Sequence, residues 1–455
     1  KQNLRISYEK YDANRLVEKY DPSCSKNKFL SIAFDQKLDN EFVEQVLSNV
    51  VRINDEIYHF IGHSNSQLKS RSCYLYAGPI DEIEKILNDN GDFQKIKNLS
   101  KRVARIGLLF SSCTPSIHIE SDHVVDIDDV ERNGYTFTDG CGIIGRKLAK
   151  EIVPYLSGFK KPMLTIDEDN SHEENPCPCA FQIRYQGYKG VLMINDDDND
   201  DAIRVRPSMK KFTGTISTCL CVCDDGYSGP RLGFLIKQFI ILLSGLNIPD
   251  EIFLKKQEES FRDIVHMCDD MNIALKYCLY FDRIDLVHHL LANNIEVVQT
   301  QVQSMQKKAL ESVEKLKIPI TKSRLAFGVC DPYGILKPDE VYFRPTFNGR
   351  QLMLDSKICF VAKSPSYHLG DILVLKLTSY KQLEHLYDVV VFSTNGARPR
   401  PNEIAGSDLD GDKYLICWDN DLIPKKINKP MDYSSTAKAQ ESALIERKDR
   451  IAQFA

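Results

Sequence analysis

The chain has 455 residues, 42% of them apolar and 27% charged, a globular balance that rules out a disordered or fibrous polymer. At about 100–200 residues per domain, that length provides for roughly two to four domains. Its 59 basic and 64 acidic residues leave a formal charge of −5, so the chain as a whole is no basic glove around nucleic acid, and any such contact has to come from local clusters of Lys and Arg.

The longest apolar run, near Phe239–Leu243, falls far short of the ~20 residues that span a bilayer. The 14 cysteines are scattered rather than packed into a short secreted framework, which reads as reduced thiols in an intracellular protein, cytoplasmic or nuclear. Lys1 opens the chain with neither an initiator Met nor a charged-then-apolar signal, as expected of a piece of a longer protein.

In chain order, the first hundred residues mix short helical and strand-like segments, with a polar turn at Gly62–Ser66 ahead of the strand Cys73–Tyr76. From about Arg105 to Val222 the pattern is mainly β. Phe181, Ile183 and Tyr185 alternate with Gln182, Arg184 and Gln186, the period-2 pattern of a half-buried strand. A turn at Gly187–Gly190 and the apolar run Val191–Ile194 follow, and the acidic run Asp196–Asp201 reads as a solvated loop between strands. Between Pro249 and Pro319 there is neither Gly nor Pro. There Phe261, Ile264, Val265, Cys268, Met271, Leu275 and Cys278 recur at helical steps, and Val298, Val302, Met305, Ala309, Val313 and Leu316 make a second stripe. Strands resume near Arg324, clearest at Ile372–Leu377 and Val389–Phe392, so two β-rich regions flank one helical region.

Several motifs carry chemistry. Gly140-Cys141-Gly142-Ile143-Ile144-Gly145 matches the dinucleotide-binding fingerprint, with a helix expected over Arg146–Leu156 and Asp167 about twenty residues on, where that motif has a ribose-binding acid. The preceding Tyr135–Asp139 is short and half polar, however, where a central parallel strand is almost wholly apolar. Lys189 in Gly187–Gly190, then Arg204, Arg206, Lys210 and Lys211, and later Arg398 and Arg400, would neutralise polyphosphate charge beside a reacting centre; elsewhere they are ordinary solvated cations. Cys219, Cys221 and Cys223 alternate along one strand face, downstream of Cys177-Pro178-Cys179, a spacing of core packing rather than of a zinc site.

The densest signal is Asp408-Leu409-Asp410-Gly411-Asp412. Carboxylates at alternate positions share one side of an extended segment and converge if the chain bends, which Gly411 permits, while Leu409 turns the other way into a core. Converging carboxylates repel unless a hard cation sits among them, and Mg²⁺ is the natural occupant. An EF-hand loop opens the same way but needs Gly where Lys413 stands, and a P-loop needs Lys where Asp412 stands. An acidic surface turn stays open as a reading, although it does not account for the apolar strand Tyr414–Trp418 directly after it.

These residues resemble the eukaryotic cellular RNA-dependent RNA polymerases of RNA silencing, from about Tyr58 to Tyr433. The matching stretches are Ser66–Tyr74, Arg105–Ser116, Thr138–Gly142, Gln182–Val191, Arg206–Phe212, Pro249–Glu259, His368–Ile372, Asp388–Phe392 and Arg398–Trp418. The last, running through Pro401-Asn402-Glu403 to Asp408–Asp412, is the most specific. The resemblance implies an α+β fold of two double-psi β-barrels facing across a catalytic cleft, joined by a helical connector, with an N-terminal mixed domain. The implied division is a slab-like domain over 1–98, the first barrel region over 99–245, the connector over 246–320, the second barrel over 321–430 and the start of a C-terminal helical region over 431–455.

The resemblance further implies Asp408, Asp410 and Asp412 as Mg²⁺ ligands (two ions, with Mn²⁺ as a substitute) and Lys189 and Lys211 as first-barrel lysines facing the metal. Arg398, Arg400 and Lys363 would be further phosphate-binding cations; Lys363 stands where the family often has Arg, and Arg400 where it often has His. The Gly140–Gly145 match becomes a loop of the first barrel. The implied reaction is template-directed nucleotidyl transfer from NTPs to an RNA 3′-hydroxyl, making double-stranded RNA from a single-stranded RNA template, with one ion lowering the hydroxyl's pKa and the other stabilising the leaving oxygens. Implied partners are template RNA, NTPs and RNA product, then a Dicer-type nuclease or other silencing factors, and no membrane. A DNA-templated single-chain RNA polymerase is the nearest alternative, and a dinucleotide-dependent oxidoreductase a remoter one.

Overall fold

The alternating and continuous apolar runs assemble into three principal sheets in a computed structural model that describes residues 5, 7, 14–22, 26–156, 159, 177–197, 199–215, 217–281, 283–292, 294–347, 350–433 and 445–455. Asp167 of the fingerprint match, Asp198 of the acidic run and 434–444 of the C-terminal segment lie outside the described residues.

Near the N-terminus, Phe29–Ala33, Ser72–Ala77, Glu56–Gly62 and Val51–Ile53 form, in that order, a four-stranded antiparallel sheet. The polar residues expected to form a turn at Gly62–Ser66 instead start a helix, Asn65–Lys69, through a reciprocal Ser64–Gln67 capping box. Helix Arg447–Phe454 returns to this sheet: Ile451 and Phe454 join Phe34, Val43 and Phe60 in one core, and Arg447 donates to the Leu47 carbonyl at 2.9 Å.

The first large sheet runs Cys113–His118, Cys219–Tyr227, Ala180–Tyr185, Tyr188–Ile194, Cys141–Ile144, Ile203–Val205, Val124–Asp126 and stays open as a half-barrel. The fingerprint segment is itself the strand Cys141–Ile144, paired in parallel with Tyr188–Ile194, so it has no free turn to cradle a dinucleotide. Tyr135–Thr136 pairs with Glu131–Arg132 in a separate hairpin, and the expected helix ends at Ile152, with a 3-10 turn Val153–Tyr155 beyond. The dinucleotide-binding reading therefore falls. Ala180–Tyr185 is also covered on both faces rather than half-buried, because at Gln182 its polar side meets the Asp410–Gly411 loop instead of water. The acidic run is only partly solvated, since Asp200 pairs with Arg204 and Asp201 with Lys147 at 3.2 Å.

Four helices, Asp250–Val265, Met271–Tyr280, Ile284–Leu291 and Ile295–Glu314, fill the Gly- and Pro-free stretch around Ile264, Met267, Ala274, Tyr277, Val298 and Val302. Phe261 and Val265, expected on the buried stripe, are 52% and 41% exposed. The 3-10 turn His266–Cys268 interrupts the helical phase, so the two apolar stripes do not join into one line.

The second large sheet closes. Ile318–Cys330, Val389–Phe392, Glu340–Phe343, Leu373–Thr378, Ile358–Lys363 and Lys413–Cys417 pair in sequence, and Lys413–Cys417 returns to Ile318–Cys330 to complete a six-stranded barrel. Closure depends on the 13-residue length of Ile318–Cys330, which pairs in parallel with Val389–Phe392 through Phe327–Cys330 and antiparallel with Lys413–Cys417 through Ser323–Phe327. Antiparallel and parallel pairings thus mix within one barrel. A single hydrophobic cluster, with Ile183, Val191 and Leu192 from the first sheet and Phe327, Val390 and Tyr414 from the second, spans the two units and fixes them face to face. Among the described residues, no helix is long and apolar enough to cross a membrane.

Candidate active site

The acidic motif lies between the short helix Arg400–Glu403 and strand Lys413–Cys417 of the closed barrel. Two anchors hold it. Leu409 is buried in the core, and the Tyr414 hydroxyl lies 2.8 Å from both the Ser407 hydroxyl and the Asp408 carbonyl. Gly411, at φ +135°, makes the bend, and a Cβ there would collide with the Gln182 amide of the facing sheet.

The facing sheet meets this loop at one point. The Leu409 N–H donates to the Asp139 carbonyl at 2.9 Å, and Gly140, at φ +81°, lies directly against the Asp410 main chain. From the same sheet, the Lys189 ammonium reaches Asp410 Oδ1 at 2.7 Å and that of Lys211 reaches Oδ2 at 3.6 Å. Within the closed barrel, Lys363 at the end of Ile358–Lys363 pairs with Asp412. The Asp410 N–H donates to Asp408 Oδ1 at 3.1 Å and the Asp408 N–H to Asp412 Oδ2 at 3.3 Å, so the three acids brace one another through their backbone.

The electrostatics separate Asp408 from Asp410. Burial drives Asp408 upward, with Asp410 and Asp412 adding to it, to about 7. Burial pushes Asp410 the same way, yet Lys189 and Lys211 outweigh it and hold Asp410 below the usual carboxylate range. Asp139 is raised by burial, with Lys211 opposing and Asp410 reinforcing the rise. Asp408 thus lacks the compensation that Lys189 and Lys211 give Asp410.

Lys189, Lys211, Lys363, Asp408, Asp410 and Asp412, all singled out from the sequence, come together here. Arg398 and Arg400 do not reach the carboxylates. Arg398 donates to Asn402 and to the Met431 carbonyl, at 2.8 to 2.9 Å, and stacks on Tyr135; Arg400 pairs with Glu403 and donates to the Pro338 carbonyl at 2.7 Å. Nor do the three aspartates converge as a ready cage: among the described residues no group of three or more His, Cys, Asp or Glu side chains does so, because lysines already hold Asp410 and Asp412. Sequence reasoning missed Asp139 and Gln182, although Thr138–Gly142 and Gln182–Val191 were among the stretches carrying the resemblance.

A cavity of about 230 Å³ opens beside Asp408, lined among others by Tyr135, Thr136, Asp139, Asn402 and Ser407. A larger one, about 440 Å³, lies between the connector and the outside of the closed barrel, away from every residue of this site. Four of its lining charges pair with one another, Lys256 with Asp419 and Lys276 with Asp263, both at 2.7 Å, and the smaller cavity is the one that borders the acidic motif.

An acidic loop on a closed barrel, pressed against the lysines of a facing half-barrel, places the chain in the double-psi-barrel fold. The solved structure of RNA dependent RNA polymerase QDE-1 from Thielavia terrestris shares it, with a TM-score of 0.70 at 18% identity, covering 97% of this chain and 55% of that one. The chain belongs to the RNA dependent RNA polymerase family, whose model matches residues 4–455. It is 33% identical over 406 residues to a probable RNA-dependent RNA polymerase 1 of Oryza sativa subsp. japonica, covering 86% of this chain and 52% of that protein. It is also 33% identical over 414 residues to RNA-dependent RNA polymerase 1 of Arabidopsis thaliana, covering 86% of this chain and 35% of that protein. RNA-dependent RNA polymerase 1 of Schizosaccharomyces pombe matches at 29% over 434 residues, 87% of this chain and 34% of that protein. The chain spans about half or less of the length of these curated relatives.

Proposed function

We propose that this chain is the catalytic core of an RNA polymerase that copies single-stranded RNA; its relatives are named RNA-dependent RNA polymerases. A growing 3′-hydroxyl gives up its proton to solvent and attacks the α-phosphorus of a bound NTP, the new O–P bond forms, the bond to the β-phosphate's bridging oxygen breaks, and pyrophosphate leaves. The observation that carries this reading is the seating of Asp410, on the closed barrel, between Lys189 and Lys211 of the facing sheet. Lys189, Lys211 and Lys363 put three ammonium groups at the acidic loop, where they oppose the negative charge that builds on the triphosphate during transfer. None of the three aspartates has to move a proton.

The donor set fits Mg²⁺, or Mn²⁺ in its place: three hard carboxylates, with Asp408 raised to about 7 by burial beside Asp410 and Asp412. Asp408, Asp410 and Asp412 would hold the metal, which when bound supplies Lewis-acid activation of the attacking hydroxyl and of the leaving oxygens. Arg398 and Arg400 hold their own loop in place beside the acidic motif. Template and product would lie along the face between the two β units, held through backbone contacts, with base pairing reading the sequence.

We assign the parts as an N-terminal domain over 1–98, a first barrel unit over 99–245, a helical connector over 246–320, the second barrel over 321–430 and a C-terminal segment over 431–455. Every cysteine among the described residues is a free thiol, which supports a reducing intracellular compartment. The deciding experiment is labelled-NTP incorporation on matched RNA and DNA single strands, with Mg²⁺ and with chelator. Metal-dependent incorporation on RNA is expected; incorporation on DNA alone favours the DNA-templated reading, and none on either template refutes the proposal.

A further inference from the structure

Ser208, in the 3-10 turn Pro207–Met209, makes polar contacts in two directions. On one side its N–H donates to Asp129 Oδ2 and its O–H to Asp129 Oδ1, each at 2.8 Å. On the other its Oγ accepts the Gly140 N–H at 3.0 Å, and its carbonyl accepts the Lys211 ammonium at 2.7 Å. Thr138 donates its hydroxyl to the same Asp129 Oδ1 at 2.7 Å and accepts the Val130 N–H at 3.0 Å, which ties Asp129 into the loop leading to Gly140.

Gly140 and Lys211 are two of the groups that the first sheet presses onto Asp410, one against its main chain and the other at Oδ2. Both hang from Ser208, and Ser208 hangs from Asp129. A carboxylate suits that place because it is acceptor-only and can take three donors at once. An amide would turn a donor toward the Ser208 N–H or toward the two hydroxyls. The Ser208 O–H pointing at a charged oxygen also polarises its Oγ, which strengthens the bond from Gly140.

We infer that Asp129, acting through Ser208, is a positioning residue for nucleotidyl transfer: it sets the Lys211 ammonium and the Asp139–Gly140 turn against Asp410. The inference rests on the polymerase reading above and adds to it a residue that touches none of the reacting groups.

A double-mutant cycle tests it, using the wild-type chain, Asp129→Ala, Lys211→Ala and the double variant, with kcat for NTP incorporation separated from KM. With Lys211 present, Asp129→Ala should lower kcat by roughly tenfold to a hundredfold, the scale of a misplaced catalytic contact. In the Lys211→Ala background the same change should cost severalfold less, because one of the two groups it positions is gone and only the Asp139–Gly140 turn is left to shift. Equal losses in the two backgrounds, or an Asp129→Ala rate within about twofold of wild type, overturn the inference.

Ser208→Ala keeps the main-chain N–H and carbonyl and removes only the hydroxyl, so it carries the test if Asp129→Ala does not fold. A severalfold fall in kcat in a chain that stays folded at the assay temperature is expected, and an unchanged kcat overturns the inference. Acetic anhydride labelling read by mass spectrometry gives a measurement independent of activity. In Asp129→Ala, Lys211 should react faster relative to its neighbour Lys210 than in wild type, and an unchanged ratio overturns the inference. If the variant shows this labelling difference from wild type while the wild-type chain incorporates no nucleotide, the Asp129–Lys211 link stands and the polymerase reading alone falls.

Discussion

Replacing Gly140 with Ala asks how firmly the site depends on the close approach of the first sheet to Asp410. The residue sits at φ +81°, and an added Cβ would lie 2.7 Å from the Asp410 Cα and 2.8 Å from its nitrogen, main-chain atoms that no rotamer change can move. Two costs add. A non-glycine residue in the left-handed region costs about 1–2 kcal/mol, and overpacking a filled contact costs about 1–3 kcal/mol more. Gly134→Ala isolates the first, because Gly134 has φ +77° but nothing within 4 Å of its Cβ position. In denaturant titrations Gly140→Ala should therefore be less stable than Gly134→Ala by about 1–3 kcal/mol, at an unchanged slope. Nucleotide incorporation should fall by about tenfold or more in Gly140→Ala alone, because pushing Asp410 aside moves it off Lys189 and Lys211. Equal stabilities of the two variants, or wild-type incorporation by Gly140→Ala, would refute the reasoning.

Lys189→Ala and Lys211→Ala should each slow incorporation by about 100-fold with the chain still folded, and wild-type rates would remove these lysines from the site. Asp408 and Asp410 should part company in stability while both losing activity on substitution. Asp410→Ala leaves Lys189 and Lys211 facing each other without the acid between them, so its thermal midpoint in chelator should fall. Asp408→Asn should raise it: with the folded-state value near 7, wild-type stability is lost as pH rises through 7, and the amide does not ionise. The opposite order of the two midpoints above that pH would contradict the charge assignment. Asp388, buried and accepting the N–H and hydroxyl of Thr346, is driven by desolvation up to about 6 despite those bonds. Its protonated form favours the fold below the unfolded carboxylate range, and that contribution is lost as pH rises through 6. Asp388→Asn should therefore gain on wild type by roughly 3 kcal/mol between acid and neutral pH; a flat difference across that range would show the carboxyl ionises freely.

Local spacing alone determined a good deal. Asp408, Asp410 and Asp412 alternate around Leu409, and a buried Leu409, a bend at Gly411 and an apolar strand behind them all follow from period and residue type. The Gly- and Pro-free stretch before Pro319 announced helices for the same reason, since helical period is written within a few turns of chain. Even the diversion of Arg400 was within local reach, because Glu403 stands one turn away. What only the tertiary structure decided is which distant groups meet. Strand pairing closes the second barrel and leaves the first open because Ile318–Cys330 has length enough for neighbours on both sides, which no pattern within that strand states. Gly140 looked like part of a dinucleotide turn until its strand was paired and Asp410 filled the space where a Cβ would go. Asp408 and Asp410 are the same residue type two positions apart, yet one is raised and the other lowered, because Lys189 and Lys211 arrive from the facing sheet at Asp410. Charge interactions depend on distance and burial, and both are set by folding rather than by spacing along the chain.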